Sequence, residues 1–332
     1  MTKSADITKL IPADQRGEVE NAAVVEPPLA EEVNAPDRPG IYQIPDTVYH
    51  EGPGISRSEL WTMHDKTPYH YRYGERKETE ALKFGKAIHT AVLEPNIFEA
   101  QFYRGPEDRR GKKWETALEV AAQNGKTCIT EGEFIDAEKI RDVAHRNALV
   151  RKLTSGKPSI EQSAYAIDEA TGELVKVRLD IVNHDIRIAA DLKSCANGSA
   201  RHFQKSVADY GYHIQDYLYP KIWEDAGGTP LDGFVFLCIE KTAPWAISVY
   251  ELDDPVRDEA RAIYRTSLDN ISGCWKQERE MRRANEATKN SGKKGLSDSE
   301  LNRAVAAACW PSYPTTVQRI DLPAYGYRMT KR

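Results

Sequence analysis

Cysteine is scarce in this sequence of 332 residues, and the cysteines that occur form no recognisable pattern. Five are present, and none of them belongs to a C-x-x-C pair. Disulfide frameworks and zinc or iron–sulfur sites need closely spaced cysteines, so the sequence argues against these classes of protein. We expect the five cysteines to be reduced thiols.

Long hydrophobic runs are absent as well. The sequence has no stretch of about 18 consecutive apolar residues, the length that a membrane-spanning helix needs. The first thirty residues lack the basic start and the apolar core of a secretory signal. We therefore expect no membrane association and a cytoplasmic location.

A general excess of positive charge, which is typical of nucleic-acid binders, is also missing, because the net charge is −5. Residues 1–45 account for most of it, since eight acidic and four basic residues give −4 there and leave −1 for the remainder. Within the remainder the basic residues are clustered. The clusters are Arg104, Arg109, Arg110, Lys112 and Lys113, and a run from Lys276 to Lys294. Contact with phosphates and a solvated surface both remain open interpretations.

Residues 1–40 are polar and acidic, with several prolines and few aromatic side chains. Such a segment buries too little apolar surface to offset the entropy of ordering. We predict a disordered acidic N-terminal arm over residues 1–40 and one folded domain over residues 41–332. Helices are predicted in the domain from a capping box at Ser56, and at about residues 79–93 and 133–153, where apolar residues recur at helical spacing.

Between Ser159 and Ser194 the period of the pattern changes to two. Three short runs alternate apolar and polar residues and are separated by turn-forming residues, which predicts an antiparallel three-stranded meander. Further elements are predicted as a helix at about 198–224, strands at about 233–240 and 245–251, and a helix at about 255–285. This order predicts an α/β (α+β) fold with a central mixed sheet, containing the antiparallel meander, flanked by helices.

Strand parity indicates where the charged residues of the meander point. The odd-numbered residues from Val175 to Ile181 are apolar and share one face, which leaves Asp180 on the other face. On the following strand Asp191 and Lys193 share a face, two residues apart. Each acidic residue is thus separated from the apolar face of its own strand.

The hairpin registers bring these acidic residues together. A four-residue loop starting at His184 places Asp180 directly opposite Asp191, and a two-residue loop makes the pair diagonal. Both loops remain open, and they separate the two Cβ atoms by roughly 5 Å or 7 Å respectively. In the preceding hairpin, a loop over residues 169–172 pairs Glu161 with Asp180. A third carboxylate is therefore predicted on the same patch.

Three carboxylates on one patch of sheet repel each other unless a cation neutralises them. Oxygen ligands of this kind suit Mg²⁺ or Mn²⁺, which polarise phosphoryl oxygens and lower the pKa of water. Lys193 is placed beside Asp191, where its ammonium group can orient water or stabilise phosphate charge. The pattern indicates metal-dependent phosphodiester hydrolysis, although an Asp-x-Lys pair taken alone is more typical of an ordinary exposed strand.

Asp180, followed after ten residues by Asp191-Leu192-Lys193, resembles the motif of the PD-(D/E)XK nucleases. The surrounding segments resemble the RecE-type exonucleases (exodeoxyribonuclease VIII), which are RecB-like members of that superfamily. These segments are residues 55–60 (ISRSEL), 67–71 (TPYHY), 84–89 (FGKAIH), 93–95 (LEP), 210–215 (YGYHIQ) and 310–313 (WPSY). The resemblance extends over about residues 49–327 and implies a PD-(D/E)XK nuclease core. The segment Arg178-Leu179-Asp180 lacks the proline of the motif, and RecB-like members vary at that position.

The resemblance also implies roles for individual residues. Asp180, Asp191 and His89 would hold the metal, with Glu161 as a further ligand that depends on the hairpin register. Lys193 would serve the attacking water, and Gln215 would act with this catalytic set. The predicted DNA contacts are Tyr212 and Tyr219 on the helix of Gln215, and Arg109, Arg110, Lys112 and Lys113 in the basic stretch.

The activity implied by this resemblance is 5′ to 3′ degradation of linear double-stranded DNA, leaving 3′ overhangs for recombination in a bacterial or phage-infected cell. A ring-shaped homo-oligomer and a single-strand annealing protein as partner are implied with it. Two alternatives remain open. The first is a related endonuclease or defence nuclease of the same fold, and the second is a DNA-binding recombination scaffold without turnover.

Overall fold

The structure, a computed structural model, describes residues 34–75 and 79–320. Its strands are β1 Gly40–Tyr42, β2 Phe102–Arg104, β3 Thr127–Ile129, β4 Ser159–Ile167, β5 Leu174–Asn183, β6 Ile188–Cys195, β7 Gly233–Glu240 and β8 Ile247–Tyr250. Its helices are α1 Asp46–Glu51, α2 Arg57–Asp65, α3 Pro68–Tyr73, α4 Glu80–Leu93, α5 Pro95–Gln101, α6 Lys112–Gln123, α7 Glu131–Arg146, α8 Ala148–Leu153, α9 Ala200–Tyr210, α10 Tyr212–Asp225, α11 Asp254–Asn290 and α12 Asp298–Cys309. The predicted N-terminal arm lies almost entirely outside the described residues, so its boundary stays a prediction.

A six-stranded sheet in the order β1-β4-β5-β6-β7-β8 forms the centre of the fold. Its strands pair antiparallel except for β6 and β7, which run parallel. Strands β4, β5 and β6 are the meander that the alternating pattern predicts. The predicted α/β (α+β) class with a mixed sheet flanked by helices is confirmed.

The register between β4 and β5 is the one predicted from the loop at residues 169–172. Ile160 pairs with Ile181 and Gln162 with Leu179, so Glu161 lies opposite Asp180. Between β5 and β6, Asn183 pairs with Ile188, which leaves a four-residue loop. Of the two loops that the sequence left open, the structure has the longer one.

The ladder between β5 and β6 stops one step before the acidic residues. Its last pair is Ile181 with Ala190, although the same register continues to Asp180 and Asp191. Beyond this point the backbone N–H of Leu192 donates instead to Oδ2 of Asp180, at 2.7 Å. The two strands therefore separate where the carboxylates lie, and an Asp side chain replaces the missing ladder bond.

Apolar clusters cover both faces of the sheet. On one face, helices α2, α9, α10, α11 and α12 pack over β4, β5, β6 and β7. On the other face, α4, α7 and α8 pack over β5, β6 and β7. We call these the α10 core and the α4 core. None of the described helices has the length and apolar composition that crossing a bilayer requires.

Strand β5 changes face at Asp180, contrary to the predicted parity. Val175, Val177 and Leu179 belong to the α10 core, whereas Ile181 packs in the α4 core. Val182, the next residue, packs in the α10 core again. The prediction that Ile181 shares a face with the three preceding odd-numbered residues is therefore wrong. The alternation is interrupted where β5 leaves β6, which a strict period of two does not anticipate.

Two helical predictions need correction. The helix predicted over residues 133–153 is two helices, because Asn147 leaves the helical conformation and caps α8 through bonds to Leu149 and Val150. The helical segment at about residues 198–224 is also two helices, since Gly211 has φ 65° and joins α9 to α10. A Cβ atom at Gly211 would lie 2.5 Å from the Trp61 ring, so this turn requires glycine. Helix α6 was not predicted from the sequence.

Candidate active site

Three side chains from three different elements meet beside the point where β5 and β6 separate. His89 comes from α4, Glu161 from β4 and Asp180 from β5, and one ligand atom from each lies within 4.8 Å of the others. The Nδ1 atom of His89 is 3.5 Å from Oδ2 of Asp180. The two helical turns around His89 pack their apolar residues against the sheet, which fixes the imidazole over the strands. The structure thus brings three of the predicted metal ligands together.

The electrostatics of this cluster favour a bound cation. Burial raises the pKa of Asp180 well above its ordinary value, and the nearby carboxylates of Asp191 and Glu161 raise it further. Burial lowers the pKa of His89, although Glu161 and Asp191 oppose that shift. In residues 34–75 and 79–320 no lysine or arginine forms an ion pair with Asp180. An imidazole whose pKa is lowered, beside a buried carboxylate without a lysine or arginine ion pair, is a suitable ligand set for a metal.

Glu161 is held in place by an unusual backbone and by an arginine. Its φ is 52°, a conformation that residues other than glycine rarely adopt and that is frequent at functional sites. The Nε of Arg178 donates to Oε2 of Glu161 at 2.7 Å, and the same guanidinium donates to the Ile44 carbonyl and the Ser163 hydroxyl. No role was predicted for Arg178, although the hairpin register places it diagonal to Glu161.

Asp191 lies outside this cluster of three ligands, and its carboxylate has two partners of its own. The Nζ of Lys193 contacts Oδ2 of Asp191. The Nε2 of Gln215 donates to Oδ1 at 2.7 Å and also contacts the Tyr219 hydroxyl at 3.1 Å. Asp191 and Gln215 are each 3% exposed, and Oε1 of Gln215 has no hydrogen-bond partner within the described ranges. The α10 face thus orients Asp191, and its metal-ligand role stays a prediction.

The two tyrosines predicted to contact DNA lie in different surroundings. The ring of Tyr212 is half-buried, and the Nζ of Lys193 lies 4.5 Å from its centroid. Tyr219 is buried, and its hydroxyl bonds to Gln215. Tyr212 is therefore partly accessible beside Lys193, whereas Tyr219 supports Gln215 from within the α10 core.

The basic stretch that begins at Arg109 lies at the start of α6, separate from the cluster of ligands. Arg109 forms ion pairs with Glu80 and Glu133, and Arg110 with Asp108. Glu80 precedes His89 by nine residues of α4, which corresponds to about 13 Å along the helix axis. The side chains of Lys112 and Lys113 are exposed. Two of the four predicted phosphate contacts thus already have acidic partners.

The residues present fit a divalent cation. Two carboxylates and one imidazole match the ligand preferences of such ions, and among the described residues Asp180 has no ion pair with a lysine or arginine. His89, Glu161 and Asp180 are placed to hold the cation. When bound, it would stabilise charge on a phosphoryl oxygen and lower the pKa of water. Lys193 is placed to orient a water molecule or a phosphate oxygen beside Asp191.

Two solved structures show a distant similarity to this chain. A presumed exonuclease from Eubacterium rectale is 16% identical, with a TM-score of 0.48 over 69% of this chain and 85% of that chain. A phage-related exonuclease from Haemophilus somnus 129PT is 12% identical, with a TM-score of 0.27 over 41% of this chain and 82% of that chain. No curated protein matches the sequence.

A family model provides the stronger comparison. It describes a PDDEXK-like domain of unknown function (DUF3799) and matches residues 63–290, which is more than half of the chain. The matched segment contains α4, the meander and α10, and so includes every residue of the cluster of ligands together with Asp191, Lys193 and Gln215. The chain therefore belongs to the DUF3799 family of PDDEXK-like domains, within the PD-(D/E)XK nuclease superfamily.

Proposed function

We propose that this chain is a metal-dependent DNA exonuclease of the RecE type. Its substrate would be linear double-stranded DNA, degraded from 5′ to 3′ to leave 3′ single-stranded overhangs for recombination. The observation that carries the proposal is the cluster of His89, Glu161 and Asp180, with ligand atoms within 4.8 Å of one another, beside the Asp191 and Lys193 pair. The PDDEXK-like family supports a nuclease, and the polarity rests on the sequence resemblance.

In this proposal the acidic residues and His89 hold Mg²⁺ or Mn²⁺ at the fork between β5 and β6. Asp191 joins them on its side of the fork, where Gln215 fixes the direction of its carboxylate. Lys193 positions the attacking water or stabilises the charge that develops on the phosphate. The low polarity of the two flanking cores strengthens each of these interactions.

Contacts with the DNA are assigned from exposure and charge. Tyr212 presents its ring beside Lys193, close to the strand being cut. Lys112 and Lys113 are exposed at the start of α6 and would meet phosphates further along the duplex. Arg109, Arg110 and Tyr219 would act indirectly, since each already bonds to a neighbour. A ring-shaped homo-oligomer and a single-strand annealing partner complete the proposal.

The test is a time course on linear duplex DNA that carries different labels at its 5′ and 3′ ends, in Mg²⁺ and in EDTA. We expect metal-dependent release of mononucleotides that starts with the 5′ label, with no cleavage of covalently closed circles. Asp191→Ala should abolish release, and Asp209→Ala, an exposed aspartate on α9, should not. Early release of the 3′ label would contradict the polarity, and cutting of circles would indicate an endonuclease. Activity that survives Asp191→Ala or EDTA would overturn the catalytic assignment.

A further inference from the structure

Arg57 reaches from the start of α2 towards the proposed active site. It is the first residue of that helix and is partly buried. Its Nη1 donates to the Tyr210 carbonyl at 2.8 Å, and its guanidinium carbon lies 5.8 Å from the centroid of the Tyr212 ring. The single bond to Tyr210 fixes the guanidinium against the turn between α9 and α10.

The same aromatic ring has a second cation beside it. The Nζ of Lys193 lies 4.5 Å from the centroid of Tyr212 and also contacts Asp191. The distance between the Arg57 guanidinium carbon and the Lys193 Nζ is therefore at most the sum of their distances to the centroid of this ring. Lys193 and Arg57 thus lie beside the same half-buried ring.

Arg57 has an unbalanced charge. Among residues 34–75 and 79–320 it forms no ion pair with a carboxylate, whereas Arg178 and Arg257 do. A cation at the first position of a helix is disfavoured by the helix dipole, so this placement does not stabilise α2. A guanidinium has five N–H donors, and only the bond to Tyr210 is formed within the described residues.

The residue that binds the Arg57 guanidinium is exposed to solvent. Tyr210 is 56% exposed, and its ring lies 5.6 Å from that of Tyr212, so the patch beside Arg57 is open to solvent. Tyr212, whose ring lies beside the Arg57 guanidinium, is the first residue of α10, the helix that carries Gln215. An anion that occupied this patch would lie between solvent and the proposed site.

The geometry points to Arg57 as the contact for a phosphate of the DNA strand being cut, on the nucleotide next to the one that Lys193 faces. This inference rests on the proposed function and adds a substrate-binding residue to it. A phosphate there supplies the missing anion, and the planar guanidinium can bind two of its oxygens. The ring of Tyr210 lies beside this position, where a base can stack on it.

The first test measures DNA binding without turnover. Fluorescence anisotropy with a labelled duplex in EDTA compares the wild type with Arg57→Gln, Arg57→Lys and Arg303→Gln. Arg303 is exposed on α12 and has no ion pair within the described ranges, so its substitution controls for the loss of one charge. We expect Arg57→Gln to weaken binding about tenfold and to lower the salt slope by about 1, with Arg57→Lys intermediate. Equal affinities for Arg57→Gln and Arg303→Gln would overturn the inference.

The second test identifies the phosphate. Duplexes that carry one uncharged methylphosphonate, placed at successive positions beside the first cleavage site, are digested in Mg²⁺. We expect one position at which the neutral linkage slows the wild type and the Arg303→Gln variant but leaves Arg57→Gln unaffected. If Arg57→Gln is slowed there as strongly as the wild type, Arg57 does not contact that phosphate.

The two proposals fail in distinguishable ways. If the wild type hydrolyses no DNA in Mg²⁺ or Mn²⁺, the proposed function falls, while the binding comparison in EDTA still decides the role of Arg57. If hydrolysis is normal and Arg57→Gln matches Arg303→Gln in both tests, only the inference falls. Thermal unfolding verifies that each variant is folded. If Arg57→Gln does not fold, Arg57→Lys, which keeps the charge, takes its place in the tests. Wild-type affinity of Arg57→Lys for DNA would then exclude recognition of the phosphate by the guanidinium.

Discussion

The side-chain amide of Gln215 donates a hydrogen bond of 2.7 Å to the carboxylate of Asp191, across the interface between α10 and the sheet. Both side chains are almost completely buried, so no solvent replaces this bond if it is lost. The glutamine of α10 thus determines the direction in which the acidic residue of the Asp-x-Lys motif points.

Replacing Gln215 with Leu should lower the turnover of DNA while leaving the fold intact. Without the amide, Asp191 keeps only its contact with Lys193, and residues that orient metal-site ligands typically contribute 10- to 100-fold to affinity or activity, so we expect a loss of about that size. Steady-state kinetics on end-labelled duplex should show the loss in kcat rather than in KM. Gln123→Leu, at the end of α6, is the matched control. Unchanged kcat in Gln215→Leu would show that Asp191 needs no such support.

Replacing Asp180 with Asn should stabilise the metal-free protein. The pKa of Asp180 is raised in the folded state by burial and then by Asp191 and Glu161, so its ionisation at neutral pH opposes folding. The isosteric amide removes that charge, and we expect the free energy of unfolding in EDTA to rise by about 1 kcal/mol, or the Tm by about 3 °C. Differential scanning calorimetry at pH 7 measures the change.

The same variant should lose the response to metal. The wild type is expected to gain about 2.7 kcal/mol of stability when Mn²⁺ is present at 100 times its Kd, and Asp180→Asn little or none. Asp209→Asn, which removes an exposed carboxylate from α9, should behave like the wild type in both conditions. A wild-type response to Mn²⁺ in Asp180→Asn would contradict the assignment of Asp180 as a ligand.

The turn between β4 and β5 should give the protein a measurable acid sensitivity. Burial acts to raise the pKa of Asp168, but hydrogen bonds from Arg265, Thr171 and Tyr264 outweigh it and lower the value to about 2. Because the folded pKa lies below the unfolded one, ionised Asp168 stabilises the fold above pH 4 or so, and this contribution disappears as the pH falls towards 2.

Asp168→Asn should therefore lower the free energy of unfolding at pH 7 by about 2 kcal/mol, with the difference from the wild type shrinking below about pH 4. Urea unfolding between pH 2.5 and pH 7 measures it. Asp269→Asn removes an exposed partner of the same Arg265 and should change stability by less than about 1 kcal/mol. A pH-independent difference for Asp168→Asn would mean that ionisation is not its cause.

We expect Asn183 to contribute much more to the stability of the fold than an asparagine usually does. Its Nδ2 donates to three carbonyls, those of Lys152, Leu153 and Ser155, while its Oδ1 accepts from two backbone N–H groups of the β5–β6 loop. It is 1% exposed, so Asn183→Ala leaves these groups without partners and should lower the free energy of unfolding by about 3 kcal/mol.

Asn147→Ala provides the comparison for this prediction, because it removes a similar pair of bonds at the start of α8 at a more accessible position. We expect a loss of about 1 kcal/mol for that variant. Equal losses in the two variants, measured by urea unfolding, would contradict a special role for Asn183.

The features of the site that could be predicted are those that depend on local spacing. The period of two and the turn residues at 169–172 determine a register that places Glu161 opposite Asp180, and the structure has that register. The position of His89 over the strands could not follow from periodicity, because a helix pattern does not specify where the helix packs. Only the sequence resemblance assigned it to the site.

The features that could not be predicted depend on where pairing ends. Alternation gives no sign that the β5–β6 ladder stops after Ile181, so the change of face at Asp180 was missed. Helix α6 had a usable signal, since Trp114, Ala117 and Ala121 are buried at helical spacing. The neighbouring lysines and arginines instead suggested a basic surface.

The change of face at Asp180 affects how cooperatively the molecule unfolds. The α10 core and the α4 core lie on opposite faces of one sheet and meet beside the cluster of carboxylates, where like charges repel. A divalent cation bound there would draw β4, β5 and α4 together at this weak junction. Chelation is then expected to let the two layers unfold at different temperatures, and saturation with metal to merge them into one transition. A cation bound at this junction would thus also determine whether the α10 core and the α4 core unfold in a single transition.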